Sequence, residues 1–104
     1  MTAGERLNGK LKGLVKDIDG ILVDRGLNGA DTYTPETGKS ASFNLAYADG
    51  LFQLLTDPNV SQGDWSRSWG DRSSLERVIS GICSRFAPDE NPFPNAISSI
   101  TDRW

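Results

Sequence analysis

Residues 57–72 read "DPNVSQGDWSRSWGDR", and the reading of this stretch settles what joins the two best-patterned parts of the chain. As an extended segment, its two-residue period sets Trp65, Arg67 and Trp69 on one face and Ser66 and Ser68 on the other. A guanidinium between two indoles is a favourable cation–π arrangement. The flanks favour turns, with Pro58-Asn59 before the segment and Gly63-Asp64 and Gly70-Asp71 around it. The expectation is a loop or short β-hairpin with a stiff aromatic edge. Trp and Arg are enriched at interface hot spots, so the edge is a candidate for protein contact. The competing reading folds both indoles back to complete the core.

Working outward, the preceding segment has apolar side chains at Phe43, Leu45, Tyr47, Ala48, Leu51, Phe52, Leu54 and Leu55. They cover more than half the circumference of a helix that starts near Ser40 or Ser42 and ends at Thr56. So wide an apolar arc marks a buried central helix. Asp57-Pro58 stops it, because the residue before proline is driven out of the helical region. After the stretch, Ser73-x-x-Glu76 is a capping-box pattern, with Asp71 a competing cap. Leu75, Val78, Ile79, Ile82 and Phe86 then form a single stripe that Ala87-Pro88 closes.

The N-terminal segment opens with a second capping box, Thr2-x-x-Glu5, and stops at Gly26. Leu7, Leu11, Leu14, Ile18, Ile21 and Leu22 recur at helical steps, which predicts one helix about 35 Å long. Gly9, Gly13 and Gly20 fall within about 40° of one another on the opposite side. Either a neighbouring backbone approaches that bare stripe, making Gly9 and Gly13 contact candidates, or the helix is kinked and held by its packed face. Residues 27–41 carry turn residues without helical period and read as a loop. The tail, 89–104, holds Ile97, Ile100 and Trp104 at i, i+3 and i+7, anchors for an arm that docks on its own domain or a neighbour. The fold class is therefore mainly α: a small bundle of three principal helices in one domain, 1–88, with a tail or arm at 89–104.

The composition removes several classes of function. The 104 residues contain no histidine and one cysteine. That excludes the commonest general base, Ser-His and Cys-His nucleophile pairs, and His- or thiolate-based zinc sites. Cys83, at the edge of the last stripe, reads as a core or boundary residue. Asp49, Asp64 and Asp71 are scattered carboxylates with no spacing for general acid/base work or a metal cage. Asp49 reads as solvated and Asp71 as a cap. No catalytic residue, cofactor or metal site is expected. A net charge of −3 argues against general nucleic-acid binding, other than passive lining of a channel. Arg6, Lys10, Lys12 and Lys16 nonetheless crowd the first sixteen residues against the single acid Glu5, either as an anion-facing patch or as a solvated helix face. A helix-turn-helix is disfavoured by a linker of some fifteen residues where that motif uses three or four. No apolar run approaches the roughly 20 residues needed to span a bilayer, and the N-terminus has no signal-peptide core. An intracellular protein without membrane contact is expected.

The order of features resembles a family of small tailed-bacteriophage and prophage proteins, the head–tail connector (neck or adaptor) components. The resemblance covers residues 41–86, through "NLAYADGLFQLL", "PNVSQGDWSRSWGDR" and "LERVISGICSRF". Its specific part runs through Pro58, Asn59, Val60, Ser61, Gly63, Ser66, Ser68, Asp71 and Arg72. It implies a helical, non-enzymatic subunit that assembles in a ring, with itself and a portal or tail protein as partners. The location implied is the cytoplasm during assembly and then the virion. A monomeric peptide- or ligand-binding module using the Trp65/Trp69 edge is the alternative from a different class.

Overall fold

The computed structural model describes residues 1–57, 60 and 62–92, apart from the side chains of Gln62 and Asp64. The anchors Ile97, Ile100 and Trp104 lie outside the described residues, as do Pro58, Asn59 and Ser61. Six α-helices follow in order: α1 (Ala3–Lys10), α2 (Ile18–Asp24), α3 (Pro35–Lys39), α4 (Ala41–Thr56), α5 (Gln62–Trp69) and α6 (Arg72–Phe86), then a 3₁₀ turn (Pro88–Glu90). Among the described residues there is no strand, only an isolated bridge between Thr2 and Thr32. The mainly helical bundle is as expected.

α4 is the central helix. It packs most extensively on α6 and next on α2. Phe43, Leu45, Ala46, Ala48, Leu51 and Leu54 are all buried, which accounts for an apolar arc too wide for a surface helix. Ser40 caps it by accepting a hydrogen bond from the Phe43 amide at 3.2 Å. The stripe of α6 buries Leu75, Ile79 and Cys83 against it.

The first segment is not one helix. α1 stops at Lys10 and α2 starts at Ile18, so the expected 35 Å rod is two short helices. The break is a Schellman turn: the Lys12 amide donates to the Gly9 carbonyl at 3.1 Å and the Gly13 amide to Asn8 at 3.0 Å. Both turn residues are left-handed, Lys12 at φ 59° and Gly13 at φ 72°. The leucines keep their helical spacing across the break because Leu11 and Val15 still reach the core from the turn. A second Schellman turn ends α2, with Gly26 at φ 77° and the Leu27 amide donating to Leu22 at 2.8 Å. Gly26 is thus the helix stop its position suggests.

Lys12 carries a Cβ in a conformation that glycine adopts without steric cost. Lys12→Gly is expected to stabilise the protein by about 0.5–1 kcal/mol, after the entropy glycine adds to the unfolded chain is set against the relieved contact. A urea-denaturation midpoint at or below that of the parent chain would show that Lys12 is held there without cost.

Two further differences concern local chemistry. Residues 35–39, read as loop, form the short α3, because Thr34 and Thr37 cap one another: the Thr37 amide donates to Thr34 Oγ1 at 3.2 Å. Pro35 then supplies a preset φ at the first helical position. At α6 the competing cap prevails. Asp71 accepts from the Ser74 amide at 2.8 Å. Ser73 lies inside the helix and Glu76 pairs with Arg72 at 3.3 Å, one turn back, so the Ser73/Glu76 capping box does not form. Asp71→Ala is therefore expected to lower the melting temperature and Ser73→Ala to leave it within error. The cap hydrogen bond holds the Asp71 carboxyl below its ordinary value, so its contribution persists above that value and fades as pH falls through the folded one. A loss from Asp71→Ala that is as large at pH 2 as at pH 7 would contradict the assignment.

Candidate interaction face

The segment 62–69 is helical, and this corrects the expected extended edge. On a helix Trp65 and Trp69 still share a face, four residues apart, but Arg67 turns about 200° from Trp65 at 100° per residue. Arg67 is exposed, Trp65 is buried at 4% exposure, and Trp69 is half-buried. The guanidinium therefore does not sit between the indoles. Trp65 belongs to the core, and a stacking platform made of both indoles does not exist. A four-residue separation brings two side chains together in a strand and in a helix alike, so the tryptophan pair could not tell the two apart. The pattern Ser61-x-x-Asp64 just ahead of Trp65 was the available signal for a helix start.

The glycines do not line one continuous helix, because the chain breaks between α1 and α2. Gly9 lies in α1 with open space where a Cβ would stand, so among the described residues no backbone of the same chain approaches it. Gly13 serves the turn. The close approach occurs instead at Gly4, whose amide donates to the Gly29 carbonyl at 3.0 Å. There the loop after α2 returns along the first turn of α1. The capping box of that helix forms as expected. Glu5 Oε1 accepts from the Thr2 amide at 2.9 Å, and Thr2 Oγ1 accepts from the Glu5 amide at 3.1 Å.

The half-buried side of Trp69 leads to a face built by α1, α4 and α5. Its Nε1–H donates to the Tyr47 hydroxyl at 3.2 Å. Over the same tyrosine ring lies Lys10, its Nζ 4.6 Å from the centroid, and 5.7 Å from that of Phe43. One helical turn earlier, Arg6 stands 5.8 Å from the ring of Tyr33, which in turn packs at 5.3 Å on Phe43. Helical spacing explains the arrangement. Residues 6 and 10 are stacked along one side of α1, and α4 supplies Phe43 and Tyr47 at the same four-residue step. Burial pushes the Lys10 ammonium below its ordinary value, and the neighbouring Arg6 charge pushes it further. Neither cation has a carboxylate partner among the described residues. The only acid on α1, Glu5, is committed to its capping box.

A second cluster lies on the other side of α4. Arg25, the cap residue at the end of α2, donates through Nε and Nη2 to both oxygens of Asp49, at 2.7 and 2.9 Å. Its Nη1 donates to Glu90 at 2.9 Å. Asp49, expected to be solvated, is thus one arm of a three-residue ion network. The guanidinium is raised above its ordinary value, first by the Asp49 hydrogen bonds. Beside it a pocket of about 170 Å³ is lined by Phe52, Ile79, Cys83 and Pro92. The Cys83 thiol there is pushed up by burial and by the two acids, which keeps it protonated. Sequence reasoning missed this network because no local pattern links residues 25, 49 and 90. Its effect is to tie the chain after α6 to the bundle. Glu90 and Asn91 therefore pack on the domain, the latter accepting from the buried Ser80 hydroxyl at 3.3 Å.

Among the described residues no group of His, Cys, Asp or Glu could hold a metal ion, and no helix is long and apolar enough to cross a membrane. Fold and site define a small all-helical domain whose distinctive surface is a pair of cations laid on aromatic rings. The chain belongs to a family described as a family of unknown function, DUF6706, whose model matches residues 1–104. No curated protein and no solved structure matches it.

Proposed function

We propose that this protein is a non-enzymatic assembly subunit, of the kind found in phage or prophage head–tail connectors, which works by contact with other proteins. The observation that carries this reading is the Arg6/Lys10 face: two cations and Trp69 displayed on a rigid aromatic floor. Arg, Tyr and Trp are the residues that dominate interface energetics. The resemblance over residues 41–86 adds support, since its most specific segment, which runs to Arg72, includes α5, the helix that carries Trp69 to this face. Ring assembly needs two different patches per subunit, and the rim around Phe52, which is exposed, and the Arg25 network offers a second. The subunit acts in the cytoplasm during assembly and then in the virion, with portal or tail proteins as partners. The alternative of a monomeric ligand-binding module loses its intended platform with the burial of Trp65.

Native mass spectrometry across a concentration series, alone and mixed with phage portal and tail proteins, tests the proposal. Oligomers or mixed complexes are expected. A chain that stays monomeric in every mixture, or that turns over a small molecule, would overturn it.

A further inference from the structure

From the Arg6/Lys10 face we infer a partner of defined chemistry: an acidic segment of another protein, bearing apolar side chains among its carboxylates. The inference rests on the reading of the chain as an interaction subunit. Four features carry it.

First, Arg6 and Lys10 are like charges at i, i+4, an arrangement that weakens an isolated helix. No carboxylate among the described residues relieves it. An anion bridging the two would convert that repulsion into attraction. Second, both side chains are already held against rings, at 5.8 Å for Arg6 on Tyr33 and 4.6 Å for Lys10 on Tyr47. Little rotamer freedom is left to lose on binding, which is the main cost of recruiting long cations. Third, the floor is apolar and aromatic, with Trp69 half-buried at its edge and hydrogen-bonded to Tyr47. A leucine or similar side chain can cover that edge while neighbouring carboxylates reach the two cations.

Fourth, the charge of the rest of the chain chooses between polyanions. The first sixteen residues hold four basic residues and one acid, and the remainder holds seven and thirteen. An extended nucleic acid, which binds by neutralising a run of phosphates, would leave this patch and meet a net negative surface. A short acidic peptide segment need touch only the patch. Charge complementarity of this type sets partner choice and encounter rate more than raw affinity, as suits a subunit that must find one neighbour.

The test uses the full chain and three fluorescein-labelled probes: a glutamate-rich peptide with interspersed leucines, the same peptide with lysine for glutamate, and a DNA duplex. Fluorescence anisotropy at physiological salt is expected to show saturable binding of the glutamate peptide alone. Arg6→Gln with Lys10→Gln is expected to weaken it about fivefold or more, as the loss of two ion pairs implies. With the unlabelled glutamate peptide, Trp69→Phe should remove most of the change in intrinsic tryptophan fluorescence that accompanies binding. Unchanged melting curves certify that the variants are folded. Equal binding of the lysine peptide, no response to the double substitution, or tighter binding of the duplex through the same two residues would each overturn the inference. Native mass spectra of the same samples separate the two proposals. Complexes that survive Arg6→Gln/Lys10→Gln, with no peptide binding by the parent chain, defeat this inference and leave the assembly reading standing. Loss of homo-oligomers in the double variant would make a second copy the occupant and overturn the choice of partner. Peptide binding by a chain monomeric in every mixture defeats the assembly reading instead.

Discussion

Trp65→Ala is expected to lower the stability of the protein by about 3–5 kcal/mol, the range for emptying the site of a large buried aromatic. Trp65 is only 4% exposed and joins α5 to the core that α4 and α6 share. A small domain has about 5–15 kcal/mol in total, so the variant should be marginal at room temperature. Trp69→Ala should cost less, about 1–2 kcal/mol, because the side chain is only half-buried and its loss sacrifices one hydrogen bond to Tyr47 and part of a contact surface. Urea denaturation followed by circular dichroism measures both. The ranking is the decisive quantity. Equal losses, or a larger one at Trp69, would mean that α5 is rotated from the position described. The two indoles, expected to work as a pair, thus divide their labour: one stabilises the fold and the other edges a surface.

Arg25→Met is expected to cost about 2 kcal/mol, in the range for hydrogen bonds to charged groups after allowance for solvent. The side chain of Arg25 is 19% exposed, against 37% for Asp49 and 52% for Glu90. The bidentate, better shielded pair with Asp49 should therefore carry most of the effect. Asp49→Asn should approach the cost of Arg25→Met, and Glu90→Gln should fall well below it. Added salt should erode the Glu90 contribution first, since exposed pairs are the more strongly screened. The network also holds the segment after α6. In Arg25→Met the amides of Glu90 and Asn91, which donate to Ala87 and Pro88 at 3.0 and 3.3 Å, should exchange faster than those of α6. Hydrogen exchange read by mass spectrometry checks this. Protection unchanged at Glu90 and Asn91 would mean that Ser80 and the 3₁₀ turn suffice to hold the segment.

Much of the scaffold was readable from local chemistry. Thr2 and Glu5 announce the start of α1, Ser40 that of α4, and Gly26 the end of α2, because each satisfies helix-end backbone groups with its own side chain or its own φ. The stripe from Leu75 to Phe86 has one period and one face. The errors fall where two local rules compete. Asp71 and Ser73 are both good caps, and only the path of the chain arriving from Gly70, at φ 83°, selects the first. Trp65 and Trp69 coincide in both the two-residue and the 3.6-residue periods. The break at Lys12 was hidden because a lysine occupies a position where glycine is the usual marker.

The sequence by itself determined a mainly helical chain with a buried central helix, several of its caps, and the absence of histidine chemistry. These follow from periodicity and composition, which act over a turn or two of chain. Only the tertiary structure decided that Arg25, Asp49 and Glu90 meet, that Lys10 rests on Tyr47, and that one indole is core while the other is rim. Those outcomes depend on how α1, α2, α5 and the 3₁₀ turn after α6 are brought against α4. That packing minimises exposed apolar area over the whole molecule, a quantity no short stretch of residues contains.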